Sequence, residues 1–323
     1  MTVGIVVIGR NEGGRLIRCL ESLAGFGERC VYVDSGSTDS STAEARSRGI
    51  EVLDLDMSMP FTAARARNAG FRQLVKIAPS IDKVHFIDGD CEVVQGWLFH
   101  AEQFMDERRE VGVVFGLQKE RFPGASVYNR LMDIEWATPI GEALASTGNA
   151  LIRRSVFEKV GGFRDDLIAG EDPELCLRIR QAGYLVWHLD REMVWHDADI
   201  RSFGQWWKRA KRGGYAFAEG AALHGAGDFR HFRREARSIC IWGIGLPVLI
   251  LASAIVMGPL ALLLLLIYPL QIARMTMKSL LPHPWAFTYS AFMVLAKFPE
   301  AAGLLKYLRD RAFGSRKELI EYK

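Results

Sequence analysis

Several features are missing from this 323-residue chain, and each absence removes a class of function. The five cysteines (Cys19, Cys30, Cys91, Cys176 and Cys240) are odd in number and show no paired CxxC spacing. Reduced thiols are therefore expected, with no disulfide framework and no zinc cluster. The net charge is only +3, and 24% charged residues is ordinary, so no nucleic-acid partner is expected. No GxGxxG follows the first apolar run and no GxxxxGK(S/T) occurs anywhere, which takes away the main support for a dinucleotide site or a P-loop. Met1-Thr2-Val3-Gly4-Ile5 lacks a basic segment ahead of an apolar one, so it is expected to open a fold and not to be a cleaved leader. There is no repeat of fixed period and no low-complexity tract. Charge is missing altogether from residues 239–273, which is a membrane signal.

The remaining pattern is that of an α/β protein. Residues 3–8 form a β-branched run, followed by the polar turn Gly9-Arg10-Asn11-Glu12-Gly13-Gly14 and then by Leu16, Ile17, Cys19, Leu20 and Leu23 at helical spacing. Residues 30–33, a polar turn over 34–41 and an Ala-rich stretch after Thr42 repeat that order. A strand over 52–55, a helix over 63–77 and a buried strand over 84–87 come next. Strands alternating with helices predict a mostly parallel sheet with helices on both faces. Further on, strands are expected over 111–116, 148–152, 185–189 and 194–196. Helices are expected over 155–160 and from Asp172 to about Gly183.

Ligands in such sheets bind at the carboxyl ends of strands, and three polar clusters fall there. Asp88-Gly89-Asp90 places two carboxylates in one loop, where a hard cation with phosphate oxygens would relieve their repulsion; a solvated turn uses the same residues. Asp34-Ser35-Gly36-Ser37-Thr38-Asp39 is small and hydroxyl-rich, suited to close approach of a ribose or base and equally to a capped helix start. Arg10-Asn11-Glu12 is the third. Beyond these, Arg67 has the guanidinium geometry to reach a diphosphate, whereas Arg65 is expected to be solvated. Asp172, with Pro173 after it, suits a helix N-cap. His196 is a candidate metal ligand, although a structural histidine is commoner.

Taken in order, these residues resemble the inverting GT-A glycosyltransferases of family 2. The series runs Gly9-Arg10-Asn11-Glu12, Asp34-Ser35-Gly36-Ser37-Thr38-Asp39, Arg65-Ala66-Arg67-Asn68-Ala69-Gly70, Asp88-Gly89-Asp90, Gly148-Asn149-Ala150, Val160-Gly161-Gly162-Phe163, Gly170-Glu171-Asp172, then 177–184 and His196. The resemblance covers roughly residues 3–200. It implies a Rossmann-like GT-A fold and a nucleotide-diphosphate sugar donor held by Gly9, Arg10, Asn11, Glu12, Asp34, Ser35, Gly36, Arg67 and Asp88. It implies Mg²⁺ or Mn²⁺ on Asp90, with His196 as a further ligand, and Asp172 as the general base, with Glu171 positioning beside it. Two positions depart from the family pattern. Ser35 stands where a second aspartate often contacts the base, and Arg10 where an aromatic residue is common. The acceptor side is expected around Glu171 and Trp136, and on the stretch carrying Gln205, Trp206 and Arg209.

The expected organisation is a catalytic domain over 1–230 and membrane-associated helices over 231–323. Within the latter an apolar hairpin of about 239–273 is divided by Gly258-Pro259. Arg230, Arg233, Arg234 and Arg237 before the apolar run, and Lys278, Lys306, Arg309 and Arg311 after it, favour keeping both flanks in the cytosol. The catalytic domain is then expected on the cytosolic face of the inner membrane, acting on a glycan or lipid-linked acceptor. The tryptophans and cations of 202–212 suit a bilayer surface. Three alternatives stay open on sequence: a soluble protein with a buried hairpin, a sugar-nucleotide nucleotidyltransferase, and a non-catalytic membrane scaffold.

Overall fold

The computed structural model describes residues 3–314 and 320–321, and the chain divides between Arg201 and Ser202 into two compact units. The first unit opens with β1 (Val3–Gly9), α1 (Gly14–Ser22), β2 (Cys30–Asp34), α2 (Ser41–Ser47), β3 (Glu51–Asp54), α3 (Ala63–Ile77) and β4 (Lys83–Asp88). It continues through β5 (Cys91–Val93), α4 (Trp97–Glu107), β6 (Val111–Glu120), α5 (Val127–Trp136), β7 (Gly141–Ala143), β8 (Ala150–Arg153), α6 (Arg154–Lys159), α7 (Glu171–Gln181) and β9 (Leu185–His196).

One sheet runs through this unit in the order β3-β2-β1-β4-β8-β6-β9-β5, with β7 added on β9. The expected parallel order holds for β3, β2, β1 and β4. Past β4 the sheet becomes mixed, because β8 pairs antiparallel with both β4 and β6. Strand β9 is a single element where two strands were expected. It runs parallel to β6 with shifts in register, and its charged middle, Asp190-Arg191-Glu192, interrupts the apolar pattern that a strand is read from.

Helix α3 packs tightly on the parallel half. Gly70 makes this contact feasible, since a Cβ there would lie 2.4 Å from Val6 Cγ1 and 2.7 Å from Val33 Cγ2. The helix starts at an N-cap, Thr62, whose hydroxyl accepts the Arg65 N–H at 3.1 Å. Arg65 is buried, contrary to the solvated side chain expected. Its guanidinium donates to the Met59 and Pro60 carbonyls at 3.0 and 2.9 Å, and also to that of Asp56, pinning the loop that feeds the helix.

The second unit is helical. It contains α8 (Phe203–His224), α9 (Arg233–Ile239), α10 (Leu246–Met257), α11 (Ile267–Lys278), α12 (Trp285–Leu295) and α13 (Lys297–Phe313). Helix α8, counted with the first domain in the sequence reading, belongs here because it crosses α13 at backbone contact. A Cβ on Gly214 would lie 2.0 Å from Glu300 O, and one on Gly303 would lie 1.9 Å from Lys211 O, so only glycine fits at either position. Trp206 faces this interior, buried with its ring 5.0 Å from that of Phe292, and not at a bilayer surface as its neighbours in sequence suggested.

From Arg233 to Lys278 the chain is helical throughout, and this run is long and apolar enough to cross a membrane, with a peak mean hydropathy of 2.7 and little burial. A π-helical turn (Cys240–Gly245) leads into α10, and a 3₁₀ stretch (Gly258–Leu266) leads out of it. Gly258, at φ 62° and ψ −147°, reverses the direction. Tyr268 Oη consequently donates to the Trp242 carbonyl at 2.9 Å, 26 positions back. The returning arm has fewer residues, but its 3₁₀ segment rises about 2.0 Å per residue against 1.5 Å in the α-helical arm, so the two keep pace.

Candidate active site

The carboxyl ends of β1, β2 and β4 lie side by side, with Gly9 opposite Asp34 and Ile8 opposite Asp88. The loops beyond β1 and β2 are tied to each other. Asn11 N donates to Ser37 Oγ at 2.9 Å, Thr38 N donates to Asn11 Oδ1 at 2.7 Å, and Gly13 N donates to Asp39 Oδ2 at 3.1 Å. Asn11 adopts φ 55°, a conformation that asparagine tolerates better than most residues. Asp34 caps its own loop: one carboxylate oxygen accepts the Gly36 and Ser37 N–H groups at 3.0 and 2.7 Å, and the other accepts from Tyr32 Oη at 2.9 Å. Gly36 stands at φ 81°, which a side chain would strain. Ser35 is buried and donates its backbone N–H to Gly9 O. Arg10 lies over the ring of Phe61 at 4.7 Å, and Glu12 pairs with Arg15 at 2.9 Å.

Deeper in, one cation organises three carboxylates. Arg67, one turn into α3 and 2% exposed, donates through Nη2 to Asp88 Oδ1 at 2.8 Å. Its Nη1 is shared between Glu171 Oε1 at 2.9 Å and Asp172 Oδ1 at 3.3 Å. Burial alone would lower the pKa of this guanidinium, but Asp172, Asp88 and Glu171 outweigh it and drive the value above the usual arginine range. Both terminal nitrogens are thus committed to carboxylates, where the sequence reading had Arg67 reaching for a diphosphate. Gly148 closes the wall beside this group. A Cβ there would fall 2.7 Å from Arg67 Nη2 and 3.0 Å from Asp88 Oδ2, and within 3.6 Å of Asp172 Oδ2. Asp172 and Glu171 start α7 behind Gly170, which holds φ 80°. Two acids in a first turn suit the helix dipole.

The second half of the Asp88-Gly89-Asp90 loop meets the end of β9. Cys91 and His196 are register partners on antiparallel strands, and His196 Nε2 lies 3.4 Å from Asp90 Oδ1. Asp90, Cys91 and His196 each present a ligand atom within 4.8 Å of the others. The Cys91 thiol is pushed well above its ordinary range by burial and then by Asp90 and Asp88. It points at Asp90 Oδ1 at 3.7 Å. Of these donors, the Asp90 carboxylate is the one that suits Mn²⁺ or Mg²⁺. Trp136, at the end of α5, sets its ring edge-on to His196 with centroids 4.5 Å apart.

Asn149, which sequence reasoning left without a role, links the two halves. Its Oδ1 accepts the Asp88 N–H at 2.9 Å, while its Nδ2 reaches Gln118 Oε1 at 3.1 Å and Cys91 Sγ at 3.3 Å. The signal for it was present in Gly148-Asn149-Ala150, but Gln118 and Cys91 carried none. Gln205, Trp206 and Arg209 belong to the second unit, where Gln205 closes a capping box with Ser202 at the start of α8.

Known proteins resemble this chain in sequence and in fold. The family model described as glycosyl transferase family 2 matches residues 4–161, and that of glycosyl transferase family group 2 matches residues 85–299. The glycosyltransferase AglE of Haloferax volcanii is 27% identical over 227 residues, covering 66% of this chain and 71% of that protein. A pre-mycofactocin glycosyltransferase of Mycobacterium tuberculosis is 28% identical over 210 residues, 60% of this chain but only 42% of its own length. Among solved structures, the mannosyltransferase PcManGT from Pyrobaculum calidifontis, in complex with GDP-Man and Mn²⁺, superposes with a TM-score of 0.65 at 20% identity, covering 96% of this chain and 88% of that one. Residues 1–349 of S. aureus TarS give 0.51 at 15% identity, over 97% and 92%. The fold is therefore GT-A-like, and since the broader family model takes in more than half of its residues, this chain belongs to glycosyl transferase family group 2.

Proposed function

We propose that this protein is an inverting, metal-dependent glycosyltransferase that moves one sugar from a nucleoside-diphosphate sugar to a hydroxyl of a membrane-held glycan or lipid-linked acceptor. The observation that carries the reading is the placement of Asp172 and Asp88 on one guanidinium at the strand ends, beside the Asp90–His196 pair. Asp90 and His196 would hold a divalent cation, which supplies charge neutralisation for the departing diphosphate. Asp172 accepts the proton of the acceptor hydroxyl as that oxygen attacks the anomeric carbon from the face opposite the leaving group. One displacement inverts the centre. Asp88 receives hydroxyls of the donor, and the latched loops after β1 and β2 receive its nucleoside. Glu171 anchors Arg67, while Trp136 walls the acceptor side next to His196. PcManGT is described with GDP-Man and TarS with UDP-GlcNAc, so the donor class is well precedented while the base is left to experiment.

The apolar hairpin supports attachment to a bilayer, with the first unit on the cytosolic side. Ile255, Val256, Leu263 and Met257 on it are largely exposed, a surface that water does not tolerate at this extent. A panel of nucleotide-sugars with Mn²⁺, read by thermal stabilisation and then by transfer, tests the proposal. Asp172→Asn is expected to keep nucleoside-diphosphate binding and to lose transfer by a factor on the order of 1,000. Chelation, or Asp90→Asn, should remove the Mn²⁺-dependent stabilisation. A fully active Asp172→Asn enzyme would overturn the assignment of the base.

A further inference from the structure

The candidate site encloses Arg67 among three carboxylates. Arg67 is almost wholly enclosed, and its two terminal nitrogens bond carboxylates from two different elements: Asp88 from the end of β4, and Glu171 and Asp172 from the start of α7. The two tight contacts, 2.8 and 2.9 Å, are with Asp88 and Glu171, while Asp172 is held at 3.3 Å by the nitrogen that Glu171 already occupies. A planar fork fixes the angle between its partners in a way that an ammonium does not. We propose that Arg67 is a positioning residue for the general base: it sets the place and the charge of the Asp172 carboxylate relative to Asp88, and Glu171 tunes how much of that guanidinium Asp172 receives. This rests on the reading of Asp172 as the base.

Charge and geometry make the proposal specific. The titratable groups facing the guanidinium are Asp88, Glu171 and Asp172, with Cys176 one turn further along α7 close enough to feel Asp172. One positive charge is shared among three carboxylates in these contacts. Its weakening must therefore favour the protonated, inactive form of the base. The aromatic ring of Phe163, 5.5 Å from Arg67 Cζ, backs the group on another side.

The experiment uses the full-length protein with Mn²⁺ and whichever nucleotide-sugar supports transfer by wild type. For Arg67→Lys, kcat is expected to fall by about 100-fold, with the affinity for the matching nucleoside diphosphate within about threefold of wild type. The acidic limb of the pH–kcat profile is expected to move up by about one unit. Glu171→Gln should move that limb the opposite way, to lower pH, because Asp172 then receives more of the guanidinium. This second variant decides the matter if Arg67→Lys does not fold. A tenfold or greater loss of nucleoside-diphosphate affinity with kcat kept at saturating donor would overturn the proposal and put Arg67 on the diphosphate. So would a fallen kcat with neither limb displaced. A wild-type protein that transfers no sugar from any donor would instead sink the functional reading on which it rests.

Discussion

Asn149 suspends Asp88 by its backbone: the side-chain oxygen accepts the Asp88 N–H at 2.9 Å, and the side-chain nitrogen is braced on Gln118 at 3.1 Å. The whole side chain is buried, so no solvent stands ready to replace either bond. Through this one residue β8 and β6 control where the β4 loop carries its carboxylates.

Asn149→Ala should therefore cost both stability and rate. An unsatisfied buried N–H and an unsatisfied buried amide are each expected to cost about 1–3 kcal/mol, and the slackened loop at least about tenfold in kcat. Thermal unfolding and a transfer assay on the same preparation check this. A variant with both values at wild-type level would show that the loop supports itself.

The buried His85 makes stability depend on pH. Burial holds its imidazole down to about 3, well below the value of an unfolded histidine. The unfolded chain consequently binds more protons than the folded one between about pH 6.5 and 3. The stabilisation is complete above that window and declines as pH falls through it, by roughly 1.4 kcal/mol per unit. His85→Gln should flatten this decline, as measured by unfolding at pH 7.5, 6 and 5. Parallel profiles for the two proteins would remove His85 as the cause.

The exposed hairpin predicts how the protein partitions. Ile255 and Leu263 lie 88% and 63% exposed, and lysine at such a position costs on the order of 2.5–3.5 kcal/mol in a bilayer interior. Ile255→Lys combined with Leu263→Lys should shift the protein from the membrane fraction toward the soluble or aggregated fraction, while leaving nucleoside-diphosphate binding by the first unit intact. Unchanged membrane retention of the double variant would argue that the hairpin is not the anchor.

The parallel half of the sheet was legible in the sequence because each apolar, β-branched run stops at a polar cluster. β1, β2 and β4 end where Gly9, Asp34 and Asp88 say they do. The mixed half was not, since antiparallel insertion of β8 depends on pairing between distant segments that no local period encodes. Arg67 shows the same limit at the site. Its position in a motif was visible, but two of its partners lie 104 and 105 positions away, and only folding reveals that they consume the guanidinium. Arg65 and Trp206 misled for a related reason: a charged or amphipathic side chain was assigned to the surface when local carbonyls, or a facing helix, gave it a buried place.

The crossed bonds between the loops after β1 and β2 have one more consequence. Asn11 with Ser37 and Thr38, and Gly13 with Asp39, make the two loops a single mechanical piece. Under the proposed function, a visiting nucleoside would meet a seat that is already set, with little ordering entropy spent on arrival. Genetic behaviour should follow the mechanics: Ser37→Ala and Asn11→Ala ought to mask one another, the double variant being hardly worse than either alone.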